Sequence, residues 1–273
     1  MKHFLFFLLF TGYCLHSQTQ ITLRDKVTNN PVTYANIWKE KVLYKTSDSL
    51  GVFHVDTKDL GHLFKITCVG YKDTIVKMSQ EIRLQQNTIA LDEVIIAKRK
   101  FDKKLKLGKA KRGDTSYGVQ WDSKTAMVAK FFPNEKKEVC YLSKVRFSVY
   151  SSAKNRKLMV LIYSVDKNGM PSELINTENI MLNPKKGTHV AEIDLNKWNI
   201  EFPKEGIFIV IQHPLLEQNK LYAENTTNPN AFFYEPSISV DYSNGYKDTW
   251  YFNEDKWNKN ERFSINIELQ LTD

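Results

Sequence analysis

Histidine and glutamate three residues apart, as in His189-Val190-Ala191-Glu192, have the residue types and spacing of a paired zinc ligand. The surrounding "THVAEIDL" alternates, which predicts a strand with Val190, Glu192 and Asp194 on one face and His189, Ala191, Ile193 and Leu195 on the other. Side chains three apart on a strand point to opposite faces, so this pair does not converge on one metal. His213, further along, precedes Pro214 at a strand end, and a catalytic zinc needs three converging ligands and an open position. No metal or other cofactor is expected. Neither G-x-S-x-G nor G-x-x-x-x-G-K occurs, so nucleophile-elbow and phosphate-loop signatures are missing. Two carboxylates serving glycoside hydrolysis need not be close in sequence. Glu217, Glu224, Glu235 and Asp241, near predicted loops, are the candidates for that chemistry.

The segment Ala231 to Asn260 is the most suggestive for binding. Phe232, Phe233, Tyr234, Tyr242, Tyr246, Trp250, Tyr251, Phe252 and Trp257 are set among Asp, Asn and Lys. A ring covers the apolar face of a sugar and neighbouring polar groups take its hydroxyls. Tyr246, Trp250 and Trp257 are therefore the candidate glycan-binding residues. The plainer expectation is that alternate aromatics fill a sandwich core and that Asp-Tyr-Ser-Asn-Gly makes a hairpin turn.

The elements that would position these residues are strands. From Gln20 to Ile96, short apolar segments are divided by turn residues: "QITLRD", "VTYANIW", "KVLYKTS", "VFHVD", "LFKITCVGY", "DTIVKM" and "TIALDEVIIA". Strands of this length with polar turns and no amphipathic helix predict an all-β sandwich. Pro31 before Ala35-Asn36-Ile37, then Ser47-Asp48-Ser49-Leu50-Gly51-Val52-Phe53, Gly70-Tyr71 and Leu91-Asp92-Glu93-Val94-Ile95-Ile96 appear in that order. This series resembles the carboxypeptidase-regulatory-like (transthyretin-like) domain of exported Bacteroidota proteins. The resemblance implies a transthyretin-like or Ig-like sandwich and an envelope location, with the domain an accessory rather than a peptidase. Phe53, Ile66, Cys68 and Val94 are its expected core, and Gly51 and Gly70 its turn glycines.

From Tyr117 onward "LSKVRFSVYSS", "RKLMVLIYSVD", "HVAEIDL", "GIFIVIQH" and "RFSINIELQL" predict a second, larger sandwich of jelly-roll type. It resembles the uncharacterised sandwich often attached to the regulatory-like domain. The expected division is a signal peptide at 1–17, a first sandwich at 18–97, a basic linker at 98–116 and a second sandwich at 117–273.

Lys2 and His3 precede the apolar run Phe4 to Phe10 and a small polar exit, the pattern of a secretory signal peptide. The run is far short of the roughly 20 residues that span a bilayer, so the mature chain is expected to have no transmembrane segment. Cys14 suggests a lipobox, but Tyr13 stands where that motif carries a small residue. Cys68 and Cys140 fall in different predicted sandwiches and are expected to be separate thiols. Asp48-Ser49-Leu50 and Asp73-Thr74-Ile75 resemble short O-glycosylation acceptors, the first in a turn and the second in a strand.

The net charge of +8 has a local origin. Residues 98 to 112 hold nine Lys and Arg against Asp102 alone, so the rest of the chain is neutral. Nucleic-acid binders spread basic charge over a folded face, and that class is excluded here. The tract reads as an extended charged spacer, with contact to an acidic surface such as anionic lipid or glycan as the second reading. The expectation is an exported, non-catalytic envelope protein that binds glycan or an envelope protein. A glycan- or peptide-directed hydrolase with its site in the second sandwich is the rival.

Overall fold

The computed structural model describes residues 18–87, 104–120, 123, 125–135, 140–222, 228, 231–242 and 248–273. The described residues hold strands and three short 3-10 turns, and the expected all-β architecture of two sandwiches is what they form. The first has strands β1 (Gln18–Asp25), β2 (Asn36–Lys39), β3 (Val42–Thr46), β4 (Val52–Asp56), β5 (Leu63–Thr67), β6 (Thr74–Lys77) and β7 (Glu81–Leu84). They make a three-stranded sheet, β4-β1-β7, facing a four-stranded sheet, β3-β2-β5-β6. Ile21, Leu23, Ile37, Phe53, Phe64, Ile66, Ile82 and Leu84 pack between them. Gly51 closes the turn before β4 at φ +71°, where a Cβ would stand 2.7 Å from the Leu23 carbonyl, so only glycine fits. Of the expected core, Phe53 and Ile66 are buried, Cys68 packs at the cluster's edge, and Val94 lies outside the described residues.

The second sandwich begins with β8 (Lys104–Gly108), β9 (Thr115–Gln120), β10 (Met127–Phe132), β11 (Tyr141–Ser151) and β12 (Leu158–Val165). Then come β13 (Pro171–Leu174), β14 (Ile180–Leu182), β15 (Gly187–Asp194), β16 (Ile207–Gln212), β17 (Lys220–Tyr222) and β18 (Phe232–Asp241). It ends with β19 (Thr249–Asn253), β20 (Lys256–Asn260), β21 (Ser264–Ile265) and β22 (Ile267–Thr272). One sheet runs β13-β12-β16-β10-β19-β20 with β14 beside β12. The other runs β17-β18-β11-β22-β8, with β15 on β11 and with β9 and β21 on β18. The chain crosses repeatedly between these sheets, as a jelly-roll-type sandwich requires. Val128, Phe147, Val160, Ile162, Ile209, Ile211, Ile267 and Leu269 belong to the core between them.

The basic tract corrects the expected domain boundary. Lys104 to Gly108 is no spacer: β8 pairs antiparallel with β22, with Leu105 opposite Leu271 and Leu107 opposite Leu269. The alternation Lys-Leu-Lys-Leu explains this, because the leucines take one face and the like charges the other, and lysines protect an edge strand from unwanted pairing. Gly108 sits at φ +72° with the Ile267 carbonyl 2.3 Å from where a Cβ would be, so the strand leaves the sheet at a position only glycine fits. Lys111 then pairs with Asp241 at 2.8 Å, and β9 runs along β18. The second sandwich therefore starts at Lys104 rather than at residue 117; residues 98–103 and the "LDEVII" segment lie outside the described residues.

A third apolar cluster joins the two sandwiches. Met127, Ala129, Met159, Leu161, Phe208 and Val210, on the outer face of the β12-β16-β10 sheet, meet Tyr34, Trp38 and Val69 of the first sandwich. Polar groups cross the same seam. The side-chain amides of Asn36 and Gln212 exchange hydrogen bonds at 3.2 and 2.6 Å. The Thr46 hydroxyl accepts from the Leu215 amide at 2.9 Å, and the Asn179 amide donates to the Thr33 carbonyl at 3.0 Å.

Two hairpins end at the mouth of this seam. The β2–β3 turn is Glu40-Lys41 (φ +49° and +68°) and the β19–β20 turn is Glu254-Asp255 (φ +51° and +66°). Two consecutive left-handed residues define a type I′ turn, which favours Asn-Gly; larger side chains cost about 1 kcal/mol each there. Glu254→Asn combined with Asp255→Gly is expected to raise stability by about 1–2 kcal/mol, read as a higher thermal midpoint. An unchanged or lower midpoint would mean that the charged pair contributes more than the turn geometry costs.

Candidate functional site

The histidine–glutamate pair behaves as its strand predicts. On β15 the His189 ring lies 3.3 Å from the Gly187 carbonyl on the inner side. Glu192 points outward to Lys144 at 2.5 Å and Arg146 at 3.3 Å. His213 is fully buried, its ring edge-on to Tyr117 at 5.8 Å. Neither ring nitrogen has a hydrogen-bond partner; the Pro236 and Ala126 carbonyls flank the ring outside hydrogen-bond geometry. Burial pushes its pKa down to about 4. Among the described residues no three His, Cys, Asp or Glu side chains converge as a metal site. Cys68 and Cys140 are not joined to each other, each is half-buried rather than fully so, and burial pushes the Cys68 thiol up to about 12.

The carboxylates considered for acid–base work have structural partners. Glu235 accepts from the Ser152 amide and hydroxyl at 3.0 and 2.5 Å and lies 3.5 Å from Arg156. Asp241 holds Lys111 and the Asn266 amide. Burial works against the charge of Asp241, but these donors outweigh it and keep its carboxyl below the usual range. Glu217 pairs with Lys220 at 2.7 Å, and Glu224 lies outside the described residues. A serine beside a lysine also occurs: Lys130 lies 3.1 Å from the Ser264 hydroxyl and 2.9 Å from Asp248. Ser264 donates to Asp248 at 2.8 Å and is 2 % exposed, too enclosed to meet a substrate.

The aromatic segment divides in two. Trp250 and Phe252 on β19 and Trp257 on β20 share one face, since Phe252 is paired with Trp257 and Trp250 with Lys259. That face borders the seam. Phe252 meets Trp38 of the first sandwich edge-on at 5.6 Å and Trp257 at 5.2 Å. Trp257 also meets Tyr163 at 5.9 Å, and Trp250 meets buried Phe208 at 6.1 Å. Trp250 and Trp257 are thus half-buried in packing between sandwiches, with Lys259 over the Trp250 ring at 5.6 Å. Tyr246 lies outside the described residues.

The other part reaches a cleft that sequence reasoning missed. On the β17–β18 ladder, Lys220 pairs with Tyr234 and Tyr222 with Phe232, so the four side chains share one face. Tyr222 and Phe232 stack tilted at 5.6 Å and Phe232 and Tyr234 edge-on at 5.2 Å, with Lys220 over Phe232 at 4.7 Å. Tyr234 lines a cleft of about 730 Å³ at the seam. The first sandwich contributes Lys39, Tyr44, Lys45 and Asp56, among others, and the second contributes Ser123, Leu215, Tyr234 and Glu254. Tyr44 donates to Asp59 at 2.9 Å, and Lys39 reaches the other oxygen of the same carboxylate at 2.7 Å. Burial and then the Asp59 charge hold the Tyr44 hydroxyl well above the ordinary phenol range. The arrangement offers two phenol rings with charged and hydroxyl groups between them, which suits a polar ligand with apolar faces.

Among the described residues, no helix is long and apolar enough to cross a membrane. No family model matches the sequence, and no curated protein matches it. Among solved structures the chain is similar to a clostridial cysteine protease after propeptide cleavage, at 14% identity over 84% of this chain and 50% of that one, with a TM-score of 0.43. It is also similar to the infectious bursal disease virus Gx strain structure, at 10% identity over 93% of this chain and 59% of that one (TM-score 0.28). The corresponding values for a subviral particle of that virus are 8%, 93% and 64% (TM-score 0.27). The chain spans between half and two thirds of the length of these structures, and the scores lie below the level at which a shared fold follows.

Proposed function

We propose that the chain is an exported, non-catalytic envelope protein whose two docked sandwiches form one binding module, with a glycan as the ligand of the seam cleft. One observation carries the reading: both sandwiches contribute walls to a cleft of about 730 Å³ that has phenol rings and charged groups side by side, within the size range of small-ligand sites. The leader-like first residues and the regulatory-like motif series support the envelope location. The partners of Glu235, Asp241 and Glu217 favour binding over hydrolysis, because each carboxylate is already engaged by cations or amides.

The test is a glycan array probed with the mature chain, Tyr44→Ala and Trp250→Ala. Tyr44→Ala is expected to lose about tenfold or more of the signal, since truncating an aromatic residue at the centre of a binding site costs about 2 kcal/mol. Trp250→Ala is expected to keep most of it. The opposite pattern would move the ligand to the Trp250–Trp257 face. New reducing ends released from a bound glycan would replace the binding reading with the hydrolase.

A further inference from the structure

The charges around the cleft do not all have partners. Lys39 is neutralised by Asp59 at 2.7 Å, Lys58 by Asp56 at 3.3 Å and Lys220 by Glu217 at 2.7 Å. Lys45, a half-buried residue of β3 on the cleft wall, makes no ion pair among the described residues. Its ammonium group stands 5.7 Å from the centre of the Tyr44 ring. Burial and then the neighbouring Lys220 charge push its pKa down, and the Glu217 and Asp56 carboxylates, each already paired with another lysine, oppose this only in part. A partly desolvated cation without a direct ion pair is costly, and a ligand anion in contact with it would offset that cost.

The rest of the lining limits what the anion belongs to. Lys39, Lys41 and Lys45 are balanced on the same walls by Glu40, Asp56 and Glu254, so the cleft is no polycationic trap for a densely charged polymer. Within that balance Lys45 is the half-buried lysine of the walls without an ion pair among the described residues, and one oxyanion suffices to engage it. Tyr44 provides apolar ring surface beside it, and from Tyr234, which is 7 % exposed, the edge-on and tilted rings of Phe232 and Tyr222 carry aromatic surface outward to Tyr222, which is 55 % exposed. Carboxylate and hydroxyl groups on the walls can exchange hydrogen bonds with sugar hydroxyls.

We propose that the cleft binds an acidic saccharide, with one oxyanion of the sugar docking on Lys45 and sugar rings lying along the Tyr234–Phe232–Tyr222 ladder. The proposal rests on the cleft being the glycan site and adds the ligand class and the residue that selects it. A lysine is a point charge without the fork geometry that distinguishes one oxyanion from another, so a uronate or a sialic acid carboxylate serves equally.

The experiment measures affinity by calorimetry for two pairs of probes on the mature chain: trigalacturonate against its methyl ester, and sialyllactose against lactose. At least one acidic probe is expected to bind tenfold or more tightly than its neutral partner. Lys45→Met should abolish that preference while keeping the melting temperature, because a neutral side chain of similar length removes the desolvated charge. Lys45→Arg should retain it, and Lys104→Gln with Lys106→Gln on the distant edge strand should leave it unchanged. Equal binding of acidic and neutral probes would overturn the proposal and leave the cleft reading standing. So would a preference that survives Lys45→Met or disappears with the edge-strand lysines. Absence of binding by all four probes would overturn the proposal, and the array decides the cleft reading independently.

Discussion

Acidification from pH 7 to pH 4 is expected to remove about 3 kcal/mol of stability through His213 alone. The ring is fully buried beside Tyr117 and its pKa is pushed down to about 4 by burial, whereas an unfolded histidine titrates near 6.5. The folded pKa lies below the unfolded one, so the unfolded chain takes up the proton first as pH falls. The stabilisation is complete above about pH 6.5 and is lost progressively down to about pH 4, at about 1.4 kcal/mol per unit of pKa difference. His213→Phe keeps a flat ring and removes two buried nitrogens that have no hydrogen-bond partner. It should hold or raise stability at pH 7, since replacing unsatisfied polar atoms by apolar ones of similar shape is tolerated. Denaturant titrations at pH 4.5 and 7 on both proteins give the answer. Wild type should lose more stability than the variant by about 2–3 kcal/mol. Equal losses would mean that His213 is protonated without penalty in the folded state.

The same histidine shows what the sequence made legible and what it did not. Its place before Pro214 at a strand end is plain from "GIFIVIQH", but burial with both nitrogens unpartnered depends on Tyr117, far earlier in the chain. The two-sandwich plan follows from short strands and turn residues, and the opposite-face placement of His189 and Glu192 follows from the two-residue period. The seam left a signal that the alternation reading passed over. "LMVLI" and "IFIVIQ" are buried at every position, and uninterrupted apolar strands are covered on both faces. The Lys-Leu-Lys-Leu of β8 was likewise readable as a strand beneath its charge. The cleft was not readable, because β3, the β17–β18 ladder and the β19–β20 turn come from distant parts of the chain. The two I′ turns were also hidden, since Glu-Lys and Glu-Asp stand where Asn-Gly marks such hairpins.

Breaking the seam is expected to convert one unfolding transition into two. Asn36 and Gln212 satisfy each other's amides inside it, and Thr46 adds a third polar group that also receives the Leu215 amide. Gln212→Ala takes the partner from the nitrogen of a buried Asn36 amide and leaves its oxygen with the Thr46 hydroxyl alone. An unsatisfied buried group costs about 1–3 kcal/mol, so about that much coupling is lost. Undocking also uncovers Met127, Met159, Leu161, Phe208 and Val210, an apolar surface that a sandwich does not leave to water without cost. This is why the intact protein should melt in a single calorimetric transition. With Gln212→Ala the first sandwich should melt separately and earlier, and the freed sheet face should bind a hydrophobic dye. The double variant Asn36→Leu with Gln212→Leu should recover most of the loss, because two apolar side chains leave no orphaned amide. That recovery separates a coupling role for the amide pair from simple damage to the fold. Two transitions already present in the wild type, or an unshifted single transition in Gln212→Ala, would show that the sandwiches are energetically independent despite their contact. In that case the cleft between them would have no fixed shape with which to hold a ligand.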